Sequence, residues 1–400
     1  MSNFERLYEK ALEAGVLPGA ALTAVNRDGS FQYAKAIGYR SKRPGQEALP
    51  LQLDTMLTIA SCTKLLTAIS ALQCVEKGLL SLDEDVKTVL PEVGSFGIIS
   101  GFEETTGRAV LTPNASPITL RHLLTHTSGL TYDLMNPLLA RWRESRGEQP
   151  WRGATVEEKA NVPLIFEPGK SWAYGPGADW TGKLIERVTG ESLEAFMSKH
   201  IWKPLEVSEM TFWPSEREGL SKKLSDIFML DQGGKAQYAP DVDINYGAKD
   251  CLGGGGLFAS ANAYMAVLQA VLRKDSRLLT SDSYDELLRP QLNEQCRHAL
   301  GELLQSDQQL QDFLGVNIPL SAPKDWSLAG IVSKDEQEDW MKENTVLWSG
   351  ATSLIWFIDS KAGLCGLAAS QVLPPMAPPI TKLHKKFHEG MYGLFLASKQ

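Results

Sequence analysis

Two groups of β-type segments, one near each end of the chain, most constrain how this sequence can fold. Residues 20–25 and 31–39 form the first group, and residues 352–358 and 363–369 form the second. Within each group the two segments are joined by a short connection rich in turn-forming residues, as is typical of β-hairpins. We therefore expect one antiparallel sheet that is built from both ends of the chain.

From about residue 80 to residue 190 the sequence has a mainly helical pattern with long polar connections, and after residue 190 helices alternate with short strands. Residues 180–188 show this pattern clearly, and a glycine follows shortly after them as a stop signal. A chain of 400 residues also exceeds what one compact core usually serves. The sequence thus predicts an α/β protein in two units: an α/β domain of residues 1–80 and 190–400, and an inserted helical domain of residues 80–190.

The charge and hydropathy of the chain argue against several classes of function. The net charge is -8, whereas non-specific nucleic-acid binding needs a dense basic surface. The sequence has no apolar run of about eighteen residues, so we expect no membrane span. Residues 1–15 lack the apolar core of a signal peptide. We therefore expect a cytoplasmic protein that binds neither nucleic acid nor membranes.

The cysteines and histidines do not form a metal-binding pattern. The five cysteines are odd in number and include no C-x-x-C spacing, which argues against structural zinc and a disulfide framework. Cys62, Cys74 and Cys365 lie in apolar runs, as buried thiols do. His122 and His126 are four residues apart but have no acidic partner at a metal-binding spacing. We assign these histidines a structural role and expect no metal or other cofactor.

The strongest chemical signal is the tetrapeptide Ser61-Cys62-Thr63-Lys64, inside a stretch, residues 56–76, whose apolar spacing suits a buried helix. Side chains three residues apart on a helix share one face. A serine hydroxyl is a poor nucleophile and needs a neighbour that takes its proton. A lysine can do so when burial or a helix dipole lowers its pKa. The tetrapeptide therefore indicates a serine nucleophile with a lysine base.

This tetrapeptide alone is a weak signal, because the same spacing occurs again in Ser321-Ala322-Pro323-Lys324. A proline interrupts a continuous helix in that second copy, so its serine and lysine need not align. For Ser61, the alternative is a serine that only caps the N-terminus of the helix. From the tetrapeptide alone, both interpretations of Ser61 stay open.

Two further segments favour the catalytic interpretation. Tyr174 lies in a loop rich in proline and glycine, which can hold its phenol at a fixed point for proton transfer. The alternative for this residue is a buried aromatic side chain with a satisfied hydroxyl. The strand entrance Trp348-Ser349-Gly350 lets the backbone approach a ligand closely, and its alternative is an ordinary strand start.

These residues resemble the active-site motifs of the serine β-lactamases and penicillin-binding proteins. The tetrapeptide at Ser61 resembles the nucleophile motif of that family, and the loop of Tyr174 resembles its tyrosine loop. Further similar segments follow the family's order along the chain: residues 17–20, 120–130 and 254–260. The resemblance implies a β-lactamase/transpeptidase-like fold, in which helices flank an antiparallel sheet and a mainly helical domain is inserted.

The chain departs from the class C β-lactamases at two positions. The residues after Tyr174 lack the asparagine of those enzymes, and Trp348 replaces the lysine of their Lys-Thr-Gly triplet. Both departures argue against β-lactam hydrolysis. The triplet Trp348-Ser349-Gly350 is instead similar to the Trp-Gly-Gly of family VIII carboxylesterases. The run around Ser61 most closely resembles the fungal lovastatin-type transesterases and related statin esterases.

By this resemblance, Ser61 is acylated, Lys64 is the base and Tyr174 assists proton transfer. The backbone amides of Ser61 and Ala351 are expected to form the oxyanion hole. The resemblance also implies three substrate-binding residues: Tyr132, Trp348 and Gly350. No cofactor is expected.

The favoured hypothesis is a serine carboxylesterase acting on an ester side chain of a bulky apolar, polyketide-like metabolite. The alternative is a transesterase, which moves an acyl group from a thioester or ester, with an acyl carrier as a donor partner, to an acceptor alcohol. A β-lactamase and a non-catalytic binding protein are weaker alternatives. A binding role does not require the nucleophile, the base and the phenol together, and this chain has all three.

Overall fold

A computed structural model describes residues 2–306, 308–337 and 340–399 of the chain. The helices, in chain order, are α1 (Asn3–Glu13), α2 (Thr63–Glu76), α3 (Leu120–Leu124), α4 (Pro137–Glu144), α5 (Val156–Ala160), α6 (Gly177–Thr189), α7 (Leu193–Met197), α8 (Glu218–Ser221), α9 (Ala261–Arg273), α10 (Ser281–Leu288), α11 (Glu294–Ser306), α12 (Gln308–Leu314) and α13 (Pro378–Ala397). The strands are β1 (Gly19–Asn26), β2 (Gln32–Ser41), β3 (Leu49–Pro50), β4 (Leu57–Thr58), β5 (Ile98–Phe102), β6 (Ala109–Thr112), β7 (Met210–Thr211), β8 (Phe228–Leu230), β9 (Ala236–Tyr238), β10 (Phe258–Ala259), β11 (Lys324–Trp326), β12 (Ile331–Ser333), β13 (Val346–Gly350), β14 (Leu354–Asp359), β15 (Leu364–Ala369) and β16 (Val372–Leu373).

The central sheet is antiparallel and has eight strands in the order β11-β12-β13-β14-β15-β1-β2-β3. Its middle joins the two ends of the chain, because β1 pairs with β15 and Ala21 lies opposite Ala369. Every residue of β1, β14 and β15 is buried, as expected for strands that are covered on both faces. Helices α9 and α13 pack against β1 and β15. The sheet that the sequence predicted from both chain ends is therefore present.

The segment from residue 80 to residue 190 is less purely helical than the sequence indicated. It contains α3 to α6, but also the hairpin of β5 and β6. Val110 and Leu111 on β6 are exposed, so this hairpin lacks the buried alternating face that identifies a strand from sequence. The division into two domains stays a prediction.

Helix α2 starts later than its apolar spacing predicted. Residues 57–58 form β4, which pairs with β10, and the helix begins at Thr63. Between them lies one turn of 3-10 helix, Ala60–Cys62, with Ala60 at a φ of 46°. A positive φ is uncommon for a residue with a side chain. The chain therefore changes from strand to helix through a constrained turn, and Ser61 lies at its centre.

The five cysteines are all buried and free. Burial raises the pKa of the Cys62 thiol above its ordinary value, although the nearby Lys64 opposes this. Among the described residues, no helix has both the length and the apolar character that a membrane crossing requires.

Candidate active site

The turn that carries Ser61 is held in place by the end of β13. A Cβ atom on Gly350 would lie 2.4 Å from the carbonyl oxygen of Ile59 and 3.3 Å from the Cys62 sulfur. Contacts under about 3.0 Å to backbone atoms do not occur for real Cβ atoms, so this position requires glycine. Gly350 thus lets the strand pack directly against the back of the turn, and it is itself buried there.

Lys64 lies one helical turn after Ser61, and its amine points at the serine. Its Nζ is 3.3 Å from Ser61 Oγ, 3.3 Å from Tyr132 Oη and 2.7 Å from the carbonyl oxygen of Gly254. Only 4% of Lys64 is exposed. An ammonium group has three N–H donors and no acceptor, so these three oxygens satisfy the charged form completely.

The phenol of Tyr174 also contacts Ser61. Its Oη lies 2.7 Å from Ser61 Oγ, within the usual range for an O–H···O hydrogen bond. Its backbone is held by Thr131, whose hydroxyl donates to the Tyr174 carbonyl at 2.9 Å. The next residue, Gly175, passes so close to Leu130 that a Cβ would lie 2.5 Å from the Leu130 carbonyl oxygen. This close packing explains why a glycine follows Tyr174.

Two aromatic groups support the ring of Tyr174 from behind. His126 and Trp348 have ring centroids 4.8 Å and 5.2 Å from the Tyr174 ring. His126 accepts a hydrogen bond from the Gly175 backbone N–H at 3.3 Å. Burial, and secondarily Lys64, lower the pKa of His126 far below its ordinary value. The imidazole therefore stays neutral, in the structural role that the sequence indicated.

Tyr132 is held at the site by a buried ion pair. The next residue, Asp133, accepts a hydrogen bond from Arg143 Nε at 2.9 Å and another from the Trp151 backbone N–H at 3.2 Å. Both Asp133 and Arg143 are almost fully buried, and the Trp151 ring lies 4.7 Å from the Tyr132 ring. Loss of either partner would leave the other charge buried and unpaired, so this ion pair strongly favours the backbone position that carries Tyr132.

A cleft of about 180 Å³ opens beside these groups. Ser61, Tyr132, Tyr174 and Ala351 all line it. Two other expected substrate-binding residues lie elsewhere: Trp348 is 1% exposed and packs behind Tyr174, and Gly350 lies behind the Ser61 turn. The structure therefore places these two residues behind the groups that line the cleft.

Asp179 is the residue at this site whose role the sequence reasoning missed. It is 1% exposed; its Oδ1 accepts the Gly254 N–H at 2.9 Å, and its Oδ2 accepts the Tyr132 hydroxyl at 3.3 Å. Burial raises the pKa of its carboxyl, while Lys64 and both hydrogen-bond donors act to lower it. The available signal was an acidic residue between buried neighbours near the start of α6.

The cleft mouth includes apolar residues that the sequence analysis did not single out. Leu134 and Met135 are 55% and 40% exposed, and both line the cleft, as does Phe313 of α12. No periodic pattern identifies them, because they lie in a short 3-10 turn and a separate helix.

The second serine–lysine tetrapeptide forms no comparable site. Lys324 lies in β11, and its Nζ donates to the carbonyl oxygens of Pro319 at 2.6 Å and Ala322 at 2.9 Å. Burial lowers the pKa of this lysine to about 8. Ser321 is exposed, and among the described residues it makes no hydrogen bond to Lys324.

Comparison with known proteins gives matches that extend over nearly the whole chain and so include the site. The family model described as Beta-lactamase matches residues 4–387. Lovastatin esterase of Penicillium rubens is 36% identical over 399 residues, which cover 98% of this chain and 98% of that protein. Monacolin J acid methylbutanoyltransferase of Aspergillus terreus is 33% identical over 396 residues, which cover 98% of this chain and 95% of that protein.

A solved structure extends this likeness to the fold. A mutant of simvastatin synthase from Aspergillus terreus superposes with a TM-score of 0.91 at 33% identity, and the match covers 98% of this chain and 95% of that one. The β-lactamase/transpeptidase-like fold expected from the sequence is thereby confirmed. The chain belongs to the β-lactamase family and is an enzyme of the esterase and acyltransferase type.

Proposed function

We propose that this protein is a serine carboxylesterase that cleaves an ester side chain from a bulky apolar, polyketide-like metabolite. The observation that carries the proposal is the convergence of three groups: Ser61 Oγ lies 2.7 Å from Tyr174 Oη and 3.3 Å from Lys64 Nζ. A nucleophile within reach of a base and of a second proton-transfer group is the signature of covalent acyl transfer. The names of the relatives, lovastatin esterase among them, support the substrate class.

The proposed reaction has two halves. In the first, Ser61 Oγ attacks the ester carbonyl, its proton passes to the deprotonated amine of Lys64, and Tyr174 helps to return a proton to the departing alkoxide. The bond from the carbonyl carbon to the alcohol oxygen breaks, and the acyl group stays on Ser61. In the second half, water attacks this acyl group, and the free acid leaves as Ser61 regains its proton.

The oxyanion that forms in each half needs two hydrogen-bond donors. Ser61 and Ala351 line the cleft, and among the described residues neither backbone N–H donates a hydrogen bond in a turn or loop. Ser61 also lies at the start of α2, where the helix dipole favours negative charge. We assign these two amides to the oxyanion hole, where loss of one donor typically costs about 10²- to 10³-fold in rate.

The size of the cleft suggests how a bulky ester binds. Pockets that enclose drug-sized molecules have volumes of about 300–1,000 Å³, and this cleft has about 180 Å³. A short acyl group fits inside it, while the larger alcohol part lies at the mouth. There the exposed side chains of Leu134 and Met135 offer an apolar surface.

A second candidate is an acyltransferase, and one observation favours it. Two relatives that match almost the whole chain are named methylbutanoyltransferases. An acceptor alcohol would occupy the same mouth that the leaving alcohol occupies in the esterase, so the same residues serve both reactions. A thioester, free or on an acyl carrier, would then supply the acyl group.

The two candidates are separated by the fate of the acyl group. The purified protein is incubated with a short-chain acyl ester, with and without an added acceptor alcohol, and the products are quantified by mass spectrometry. The esterase predicts free acid as the main product in both reactions. A dominant transfer product favours the acyltransferase. If the purified protein forms neither the free acid nor the transfer product, both proposals are contradicted.

The cellular setting is also a proposal. All five cysteines are free, and free buried thiols are usual in a reducing compartment. We infer that the enzyme works in the cytoplasm. The proposed reaction uses only side chains, backbone amides and water, so it requires no cofactor.

A further inference from the structure

Lys64 belongs to a closed ring of hydrogen bonds that does not include the substrate. Its amine donates to the Gly254 carbonyl at 2.7 Å, and the Gly254 N–H donates to Asp179 at 2.9 Å. Asp179 in turn accepts the hydroxyl of Tyr132 at 3.3 Å, and that hydroxyl oxygen lies 3.3 Å from the Lys64 amine. The ring thus connects a buried carboxylate to the candidate base by two separate routes.

From this ring we propose that Asp179 is a positioning residue, which holds the amine of Lys64 against Ser61 and, through its charge, controls the pH dependence of the reaction at Ser61. The inference rests on the proposed function, because it takes Lys64 as the proton acceptor for Ser61. It extends that function by naming the group that controls the acceptor.

The packing around Asp179 leaves its carboxylate little freedom. A Cβ on Gly254 would lie 2.3 Å from Asp179 Oδ2, so the carboxylate packs directly on the backbone of that glycine. Both carboxylate oxygens accept hydrogen bonds. A protonated carboxyl would need an acceptor for its own O–H and would lose one of these bonds. The hydrogen bonds therefore fit the ionised form.

Burial holds three other titratable side chains that face Lys64 in their neutral forms. Burial, and secondarily Asp179, raise the pKa of Tyr132 far above its ordinary value. The Cys62 thiol is also held neutral by burial, and the buried His126 is held in its uncharged form. The Tyr174 phenol lies under the amine, with its ring centroid 4.8 Å from Nζ. Among these described neighbours, Asp179 is the carboxylate that can stabilise the Lys64 ammonium.

The direction of the effect follows from the sign of the charges. A carboxylate near an ammonium favours the protonated amine, and removal of the carboxylate charge favours the neutral amine. In Asp179→Asn, we therefore expect the acid limb of the reaction at Ser61 to move to a lower pH. The asparagine side chain has one acceptor oxygen instead of two, so it cannot accept from both the Gly254 N–H and the Tyr132 hydroxyl on separate oxygens. Lys64 is then held less firmly against Ser61.

The test measures the rate at which a fluorophosphonate labels Ser61 as a function of pH, by intact mass spectrometry. In this reaction the serine oxygen bonds to phosphorus, fluoride leaves, and the serine proton passes to the base. For Asp179→Asn we expect the acid limb of the profile to move about one pH unit lower. The plateau rate should fall about ten- to hundredfold, because misplaced groups react slowly.

Glu194→Gln is the matched control, because it also neutralises a partly buried carboxyl, one that binds Thr211 and Arg217 away from the cleft. It should keep the wild-type profile. If Asp179 served only to hold the Gly254 loop, labelling would slow with no movement of the acid limb. An unmoved limb in Asp179→Asn therefore overturns the inference.

Tyr132→Phe provides the second variant if Asp179→Asn does not fold. It keeps the ring and the carboxylate but removes the hydroxyl between Asp179 and Lys64, so the limb should move in the same direction by a smaller amount. A wild-type profile in this variant overturns the inference. Labelling requires no ester substrate, so a wild-type protein that is labelled but cleaves no ester contradicts the proposed function and leaves this test intact.

Discussion

The chain contains the same serine–lysine spacing twice, and the two copies have opposite structures. At the first, Lys64 Nζ lies 3.3 Å from Ser61 Oγ, and Ser61 lines the cleft. At the second, the serine is exposed, and the amine of Lys324 is surrounded by backbone carbonyl groups. Four residues of similar sequence therefore do not specify the site by themselves.

The difference comes from the backbone that each copy adopts. The first copy enters a helix, so its serine and lysine share one face. Pro323 separates the two residues of the second copy, and Lys324 enters a strand. A helix start also supplies free N–H groups, whereas the carbonyl oxygens around Lys324 are acceptors that bind its ammonium form. The local backbone thus decides whether a lysine can approach its serine.

The largest contrast between the two copies is expected for their serines. Ser61→Ala should reduce ester turnover by at least about 10⁴-fold, because the nucleophile is removed. Ser321→Ala should leave turnover unchanged. Steady-state kinetics with a short-chain ester measure both variants. Equal activity of Ser61→Ala and Ser321→Ala would remove the distinction between the copies.

Substitution of the first lysine should affect activity, whereas substitution of the second should affect stability. Lys64→Met should reduce kcat by about 10²- to 10⁴-fold, as loss of a general base does. Lys324→Met should keep kcat but lower the free energy of unfolding by about 1–3 kcal/mol, because it leaves buried carbonyl groups without a donor. Kinetics and thermal unfolding give the two readouts. A Lys324→Met variant that unfolds normally but turns over slowly would contradict this division.

The phenol of Tyr174 marks a further difference, because no tyrosine hydroxyl in the described part of the chain bonds to Ser321. Tyr174→Phe should lower kcat about 10²-fold, since it removes the hydroxyl 2.7 Å from Ser61 Oγ. Tyr284→Phe is a suitable control: its hydroxyl donates to the Asp275 carbonyl at 2.9 Å, away from the cleft. It should cost only about 1 kcal/mol of stability. An unchanged kcat in Tyr174→Phe would reduce this residue to a packing role.

The smallest expected effects concern the glycines beside each copy. Gly350→Ala forces a Cβ against the Ile59 carbonyl, so we expect about 1–3 kcal/mol of destabilisation. Gly301 lies in α11 beside the second copy, and a Cβ there meets no atom within 4 Å. Gly301→Ala should therefore stabilise the protein by about 0.5–1 kcal/mol. Chemical denaturation measures both; a harmless Gly350→Ala would show that the Ser61 turn does not need this support.

Local patterns predicted much of the fold. The strands at both chain ends, helix α6 and the antiparallel sheet follow from alternation, helical spacing and turn residues. The β5–β6 hairpin was missed because its strands are short and partly exposed. The start of α2 was placed too early, since residues 57–58 pair with β10, about two hundred residues away in sequence. Pairing over that distance leaves no local signal.

The candidate site also contains residues that local motifs predict and residues whose roles depend on contacts between distant segments. Ser61, Lys64 and Tyr174 could be proposed from the sequence because each lies in a short motif. The position of Trp348 depends on how β13 packs behind Tyr174, and no local pattern distinguishes a tryptophan facing the cleft from one facing the core. Asp179 accepts its hydrogen bonds from Tyr132 and Gly254, which belong to two other segments, so only the folded chain brings them together.

The central claim is that Ser61, and not its counterpart Ser321, carries the acyl group during turnover. The direct measurement is peptide mass mapping of the protein, quenched shortly after mixing with a short-chain acyl thioester. We predict an acyl adduct on the peptide of Ser61, and its absence from Ser61→Ala. An adduct located on any other residue, or one that persists in Ser61→Ala, would contradict the account.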